Sequence, residues 1–151
     1  MIKQILNKTK LMKSKINDWA KEAIIKNKGE IVNLVKFGQL SKGINSYNNL
    51  IGTYSPYTQA YADFENINIP KSFGAPYNFQ WTGETFDNMK IKTVNKSKQT
   101  YNIGTIIGKQ KLLEGIYGEI FDLTEENNNY VNEKIIEPYI LKKIEEGFIF
   151  N

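Results

Sequence analysis

The chain has 151 residues, enough for one domain with a real hydrophobic core and too few for two, and its 40% apolar and 24% charged residues are ordinary for a globular protein. It contains no cysteine, histidine or arginine. That excludes disulfides and thiolate chemistry, removes the usual general base near neutrality and the usual zinc ligand, and disfavours bidentate reading of phosphate or guanine.

The net charge of +4 is unevenly spread: residues 1–42 hold ten lysines against Asp18, Glu22 and Glu30 (about +7), and residues 114–151 hold three lysines against nine acids (about −6). Such ends attract each other within one molecule or between neighbours. No run approaches the roughly 20 apolar residues of a membrane span, and the start lacks an uninterrupted apolar leader core. The chain is therefore expected to stay where it is made, with no membrane partner.

From Ile2 to about Lys26, Ile5, Met12, Ile16, Trp19 and Ala23 recur at three- and four-residue steps, widened by Leu6, Ala20 and Ile24. This spacing predicts an amphipathic helix over residues 1–28, ended by Gly29, with Lys8, Lys10 and Lys15 among the lysines on its opposite face. Packing of the stripe on the domain competes with attachment to a membrane surface or to DNA phosphates, and Asp18 and Glu22 interrupt the basic face in favour of packing. The run "EIVNLVKF" fits a short strand or a helical turn, which periodicity alone does not separate, and the strand is preferred.

Between Gly43 and Phe79 the sequence is rich in Asn, Gly, Pro, Ser and Tyr, the chemistry of turns and loops. Its tyrosines argue for an ordered loop, functional or lying against a neighbour. "YNFQW" alternates as a half-buried strand with Tyr77, Phe79 and Trp81 on one face, "MKIKTVN" repeats the pattern with Met89, Ile91 and Thr93, and "TYNIGTI" with Tyr101, Ile103 and Thr105. "NKSKQ" between the last two is a hairpin turn. Thr124 followed by Glu125 and Glu126 starts a long final helix that kinks near Pro138 and stops at Gly147.

The expected fold is a single α+β domain: an N-terminal amphipathic helix (1–28), an antiparallel three- to four-stranded sheet with a long ordered loop (30–113), and a C-terminal helical part (114–151).

Catalytic constellations are sparse. "GTIIGKQ" has three residues between its glycines where a phosphate loop needs four, and Gln110 follows Lys109 in place of a hydroxyl. Glu84 and Asp87 near Trp81 carry the letters of a carboxylate pair, but helix and turn capping accounts for them without chemistry. Asp122, Glu125, Glu126 and Asn127 form a loose set of oxygens without the glycine-spaced loop of a cation site. Without histidine, only a lysine could activate a serine or threonine. We expect no enzyme activity, metal or cofactor.

Three phrases carry a resemblance: "GTYSPYT", with Gly52, Tyr54, Ser55, Pro56 and Thr58; "TGETFDN", with Thr82, Gly83 and Asn88; and "IFDLTEEN", with Ile120, Phe121, Leu123, Thr124, Glu126 and Asn127. In this order, over about residues 38–148, the chain resembles the neck and tail-completion proteins of tailed bacteriophages, also called virion morphogenesis or minor head-tail joining proteins. Its arginine-free, lysine- and asparagine-rich usage is similar to that of low-GC gut-bacterial phages, including the crAss-like group.

The resemblance implies a virion subunit, assembled in the host cytoplasm, that forms a homo-oligomeric ring between portal and tail with the genome passing through it. Its first phrase would be a loop that leads into a strand. Heterologous ring contacts suit the opposite charges of the two ends. Tyr54, Tyr57, Tyr61 and Trp81 are then the candidate interface residues. Phe148 and Phe150, expected beyond the helix stop, dock on a neighbour or fold back on the core. Lys8, Lys10 and Lys15 are candidates to face DNA, non-specifically. The alternative is a phage-encoded nucleic-acid-binding accessory protein using the lysine helix and the aromatic strands.

Overall fold

The computed structural model describes residues 1–95 and 100–149. Helix α1 (Ile2–Lys26) carries the expected stripe, which sinks into the body only in its second half: Ala20, Ala23 and Ile24 are fully buried, whereas Ile2, Ile5 and Leu6 are exposed. The break after α1 is made by Asn27 (φ −112°, ψ 24°), whose side-chain amide donates to the Ala23 carbonyl at 2.8 Å. Gly29, expected as the stop, lies inside the first turn of the next helix.

That next element, α2 (Lys28–Lys36), replaces the expected strand. Ile31, Val32 and Val35 are all buried. On a strand, adjacent Ile31 and Val32 would face opposite ways, but on a helix the i, i+1, i+4 spacing puts all three on one face.

After α2 the chain turns through a short 3-10 segment (Leu40–Lys42) anchored by the buried side chain of Gln39. Its Nε2 donates to the Asp122 carbonyl at 2.9 Å, and its Oε1 accepts from the Thr124 N–H at 3.0 Å and from Asn127 Nδ2 at 2.9 Å. One amide thus ties the exit of α2 to the start of the C-terminal helix. Thr124 caps that helix as expected, its hydroxyl accepting from the Asn127 N–H at 3.2 Å.

The residues expected to be one long loop contain helix α3 (Pro56–Phe64). The phrase "YSP" therefore leads into a helix rather than a strand. A short helix α4 (Glu84–Asp87) begins from Gly83, whose left-handed φ of 84° suits a residue without a side chain. Strands β1 (Lys90–Asn95) and β2 (Thr100–Gly104) then pair antiparallel, with Ile91 opposite Ile103 and both buried. A bulge between Ile91 and Thr93 interrupts the alternation expected there. Most of the expected hairpin turn, residues 96–99, lies outside the described residues.

Among the described residues the sheet has two strands, not three or four. "YNFQW" is not one of them. Extended pairing ends at an isolated bridge between Thr53 and Pro76, and Phe79 takes a positive φ of 54° that turns the chain out of a strand path.

Helix α5 (Ile107–Tyr117) follows, unforeseen in the sequence and crossing the expected boundary at residues 113/114. The final helix is continuous but not uniform: α6 (Glu125–Tyr130), a π-helical stretch (Val131–Ile136) and α7 (Glu137–Ile149). Pro138 has no N–H to give to the Lys134 carbonyl, and the wider π turn lies immediately before it.

Gly147 does not stop this helix. A side chain there would meet the terminal methyl of Met12, so the glycine lets α1 lie close against α7. The two helices run antiparallel: Met12 meets Gly147, Glu22 accepts from the Tyr139 hydroxyl at 2.9 Å, and Glu30 in α2 accepts from Tyr130 at 2.8 Å. The basic and acidic ends of the chain are thereby packed on each other. The core lies among α1, α2, the sheet and the π-helical stretch, with Ile24, Ile31, Leu40, Ile120, Phe121 and Val131 fully enclosed.

Gln39→Leu keeps the volume but leaves the buried Thr124 N–H without its acceptor. We expect it to lower unfolding free energy by about 2–3 kcal/mol, read as a lower urea midpoint with an unchanged slope. The Tyr101 hydroxyl is buried with no partner among the described residues. Tyr101→Phe is therefore expected to raise the urea midpoint, by about 1 kcal/mol of stability.

Candidate functional site

Two aromatic groups meet around a buried lysine on the face formed by α3, the segment 71–82 and α5. The outer group begins at the phrase Ser55-Pro56-Tyr57-Thr58. The Ser55 hydroxyl accepts from the Thr58 N–H at 3.1 Å and Pro56 fills the first helical position, so this phrase starts α3. Tyr57, Tyr61 and Phe64 then fall at i, i+4 and i+7 on one exposed face, with Tyr57 and Phe64 each 79% exposed. Tyr57 stacks on Tyr61 (centroids 6.4 Å apart, planes 8° apart), and Tyr61 stacks on Trp81 (5.8 Å, 21°). The result is a three-rung ladder of rings open to solvent.

The inner group is packed edge to face. Tyr54 meets Tyr77 at 5.0 Å, Tyr77 meets Tyr117 at 5.9 Å, and Phe79 meets Tyr117 at 5.2 Å. Tyr54, expected on the interface, is 7% exposed and belongs to this inner group. Its hydroxyl donates to Asn78 Oδ1 and accepts from the Asn78 N–H, both at 2.9 Å.

Between the groups lies Lys71, only 3% exposed. Its Nζ donates to Asn78 Oδ1 and, at 2.7 Å, to the Gln80 carbonyl, and it stands 5.4 Å from the Tyr54 ring and 5.8 Å from the Trp81 ring. Burial lowers its pKa from 10.5 to about 8. The Asn78 side chain also accepts from the Gln80 N–H at 3.2 Å, so segment 78–80 wraps the ammonium instead of continuing a ladder. A pocket of about 320 Å³ opens here, walled by Tyr77, Phe79, Trp81, Leu113 and Tyr117, with Lys71 in its lining. At the rim Lys109 and Glu84 form an ion pair of 2.5 Å.

The structure thus brings together three of the expected interface residues, Tyr57, Tyr61 and Trp81, and withdraws Tyr54 into the interior. Phe148 lies in the last turn of α7 rather than beyond a helix stop, and Phe150 lies outside the described residues. Lys10 and Lys15 are exposed on α1, and Lys8 is half-buried. Glu84 is engaged by Lys109 rather than set opposite Asp87. In the phosphate-loop-like string, Lys109 goes to Glu84 and Gln110 accepts from Lys92 at 2.7 Å. Of the Asp122, Glu125, Glu126 and Asn127 set, Asp122 accepts from Gln39 through its backbone carbonyl, and Asn127 donates its side-chain amide to Gln39 and its N–H to the Thr124 hydroxyl. Among the described residues no group of three or more acids is placed to hold a metal ion, and no helix is long and apolar enough to cross a membrane.

Sequence reasoning missed Phe64, Lys71 and Tyr117. Ser55-Pro56 was a helix-start signal that would have placed Tyr57, Tyr61 and Phe64 on one face. No local pattern marks Lys71. No family model, curated protein or solved structure matches the chain.

Lys71 sets a pH dependence whose sign follows from its lowered pKa. Between about pH 8 and 10.5 the unfolded chain holds the proton more tightly, so stability rises with pH over that window. Tyr101, raised by burial from 10 to about 12, acts oppositely: above pH 10 the unfolded state loses its proton first and stability falls. The urea midpoint is expected to climb from pH 8 to 10 and then drop, and Lys71→Met is expected to abolish the climb.

Proposed function

We propose that this chain is a non-enzymatic structural virion protein of tailed bacteriophages, a ring-forming neck or tail-completion component that joins portal to tail. The observation that carries the reading is the exposed ladder of Tyr57, Tyr61 and Trp81. Large amphipathic rings that lose little side-chain entropy are the residues on which protein interfaces concentrate their energy.

Two of the three phrases that resemble the neck proteins frame this ladder. Ser55, Pro56 and Thr58 start the helix that presents Tyr57 and Tyr61, and Thr82 and Gly83 directly follow Trp81. Phe64 and the 66% exposed Phe73 add apolar surface, and Phe73 is tied to α3 through its N–H, which donates to Gln59 Oε1 at 2.7 Å. In the ring, this face meets a different face of the next subunit. Contact with the genome is electrostatic and non-specific, through lysines such as Lys10 and Lys15.

Light scattering across protein concentration and salt, followed by negative-stain imaging, tests the reading. Closed rings are expected, either from the protein alone or on addition of a portal or tail partner. Tyr57→Ser with Tyr61→Ser is expected to weaken the association at least about 30-fold, the loss of one hot-spot contact. A monomer that ignores such partners yet shifts labelled DNA, with affinity falling steeply as salt is added, would overturn it in favour of the nucleic-acid-binding accessory protein.

A further inference from the structure

We propose that the pocket beside Lys71 is a binding site for a carboxylate carried on a flat aromatic or apolar group. A buried ammonium is costly unless a countercharge compensates it. Among the described residues Lys71 has none: burial is the cause of its lowered pKa, and Glu84, the acid lining this pocket, is held by Lys109. Its two hydrogen-bond acceptors, Asn78 Oδ1 and the Gln80 carbonyl, are neutral. An ammonium has three N–H donors, and the third has no acceptor among the described residues.

The walls define the rest of the ligand. Tyr77, Phe79, Trp81, Leu113 and Tyr117 are apolar surfaces, and about 320 Å³ is the small end of ligand pockets, room for one ring and a short acid chain. A phosphate fits the chemistry less well. A single cation flanked by two acceptor oxygens opposes a dianion, and the second lysine of the lining, Lys109, is already paired. Trp81 is shared with the exposed ladder, so a ligand in the pocket touches the surface as well. The same chemistry has two sources: a free aromatic acid, or the C-terminal carboxylate of a chain ending in an apolar residue.

Tyr54, Tyr77, Tyr117, Glu84 and Lys109 are the titratable groups that line the pocket with Lys71. Burial raises the pKa of both Tyr54 and Tyr117, which keep their protons below pH 10. A bound carboxylate holds the Lys71 proton, so affinity falls as pH rises past the value of the free protein.

The site does not rest on the ring reading. The probes are 3-phenylpropionate, its amide 3-phenylpropanamide, and a tripeptide ending in phenylalanine with a free or an amidated terminus. The readout is the Trp81 indole N–H shift in ¹H–¹⁵N spectra of the full chain, with ring formation followed separately by light scattering. At least one acid is expected to bind at millimolar concentration, its amide at least about tenfold more weakly, and affinity for the acid is expected to drop about tenfold between pH 7 and pH 9. Lys71→Met is expected to bind the acid at least about tenfold more weakly; the acid–amide comparison tests the same point in the unaltered protein. Binding of phenylpropionate points to a free acid, and binding of the peptide acid alone points to a chain terminus. Equal binding of acid and amide, unchanged binding by a folded Lys71→Met, or no shift with either acid overturns the proposal whether or not rings form.

Discussion

The side-chain amide of Gln39 joins parts of the chain more than eighty residues apart. It reaches the carbonyl of Asp122, the N–H of Thr124 and the side chain of Asn127 from the end of α2. The Thr124 N–H is buried and needs that acceptor, and the amide has both the donor and the acceptor to serve all three groups. The C-terminal helix therefore starts at a fixed place and angle relative to α2. The packing of α1 on α7 and the enclosure of Phe121 and Val131 depend on that placement.

The charge asymmetry of the chain takes on meaning within this frame. Lysine-rich α1 runs antiparallel to the acidic C-terminal helix, with the two joined by Met12 on Gly147 and by the hydrogen bond from Tyr139 to Glu22, and α2 adds the bond from Tyr130 to Glu30. Lys26 lies 5.0 Å from the Tyr139 ring in the same seam. The seam is thus made of a methyl on a glycine, hydroxyl–carboxylate hydrogen bonds and an ammonium beside a ring, and the proposed contact with a neighbour rests on the aromatic ladder, not on the polarity of the ends. The exposed apolar residues at the start of α1, Ile2, Ile5 and Leu6, lie outside this seam.

What could be read from the sequence followed the range over which the deciding forces act. Strands β1 and β2 and the Thr124 cap are local patterns, alternation and a side-chain oxygen three residues from its N–H, and they appear where expected, with the alternation of β1 broken by its bulge. Helix α2 was misread because Ile31, Val32 and Val35 are β-branched and closely spaced, and only the shared core decides that all three go inside. "YNFQW" alternates correctly but is pulled off a strand path by Asn78, whose side chain answers to Tyr54 and Lys71, seven and more residues away. Of the site, the tyrosines were visible as letters. Their division into an outer ladder and an inner cluster was not, since it depends on how α3 and α5 pack around a lysine that no spacing singles out.

The π-helical stretch at Val131–Ile136 also bears on which length changes the chain tolerates. A π turn behaves as one residue beyond the α-helical repeat, and it sits between the half of the helix fixed by Gln39 and the half that packs on α1. Loss of a residue here would restore an ordinary helix with little change of phase, whereas the same loss within α6 would rotate everything beyond it by about 100°. Tyr139 would swing away from Glu22 and Gly147 from Met12. The wide turn therefore absorbs a change of one residue that the α-helical turns before it cannot, and it keeps the half of the helix that packs on α1 in phase with the half fixed by Gln39.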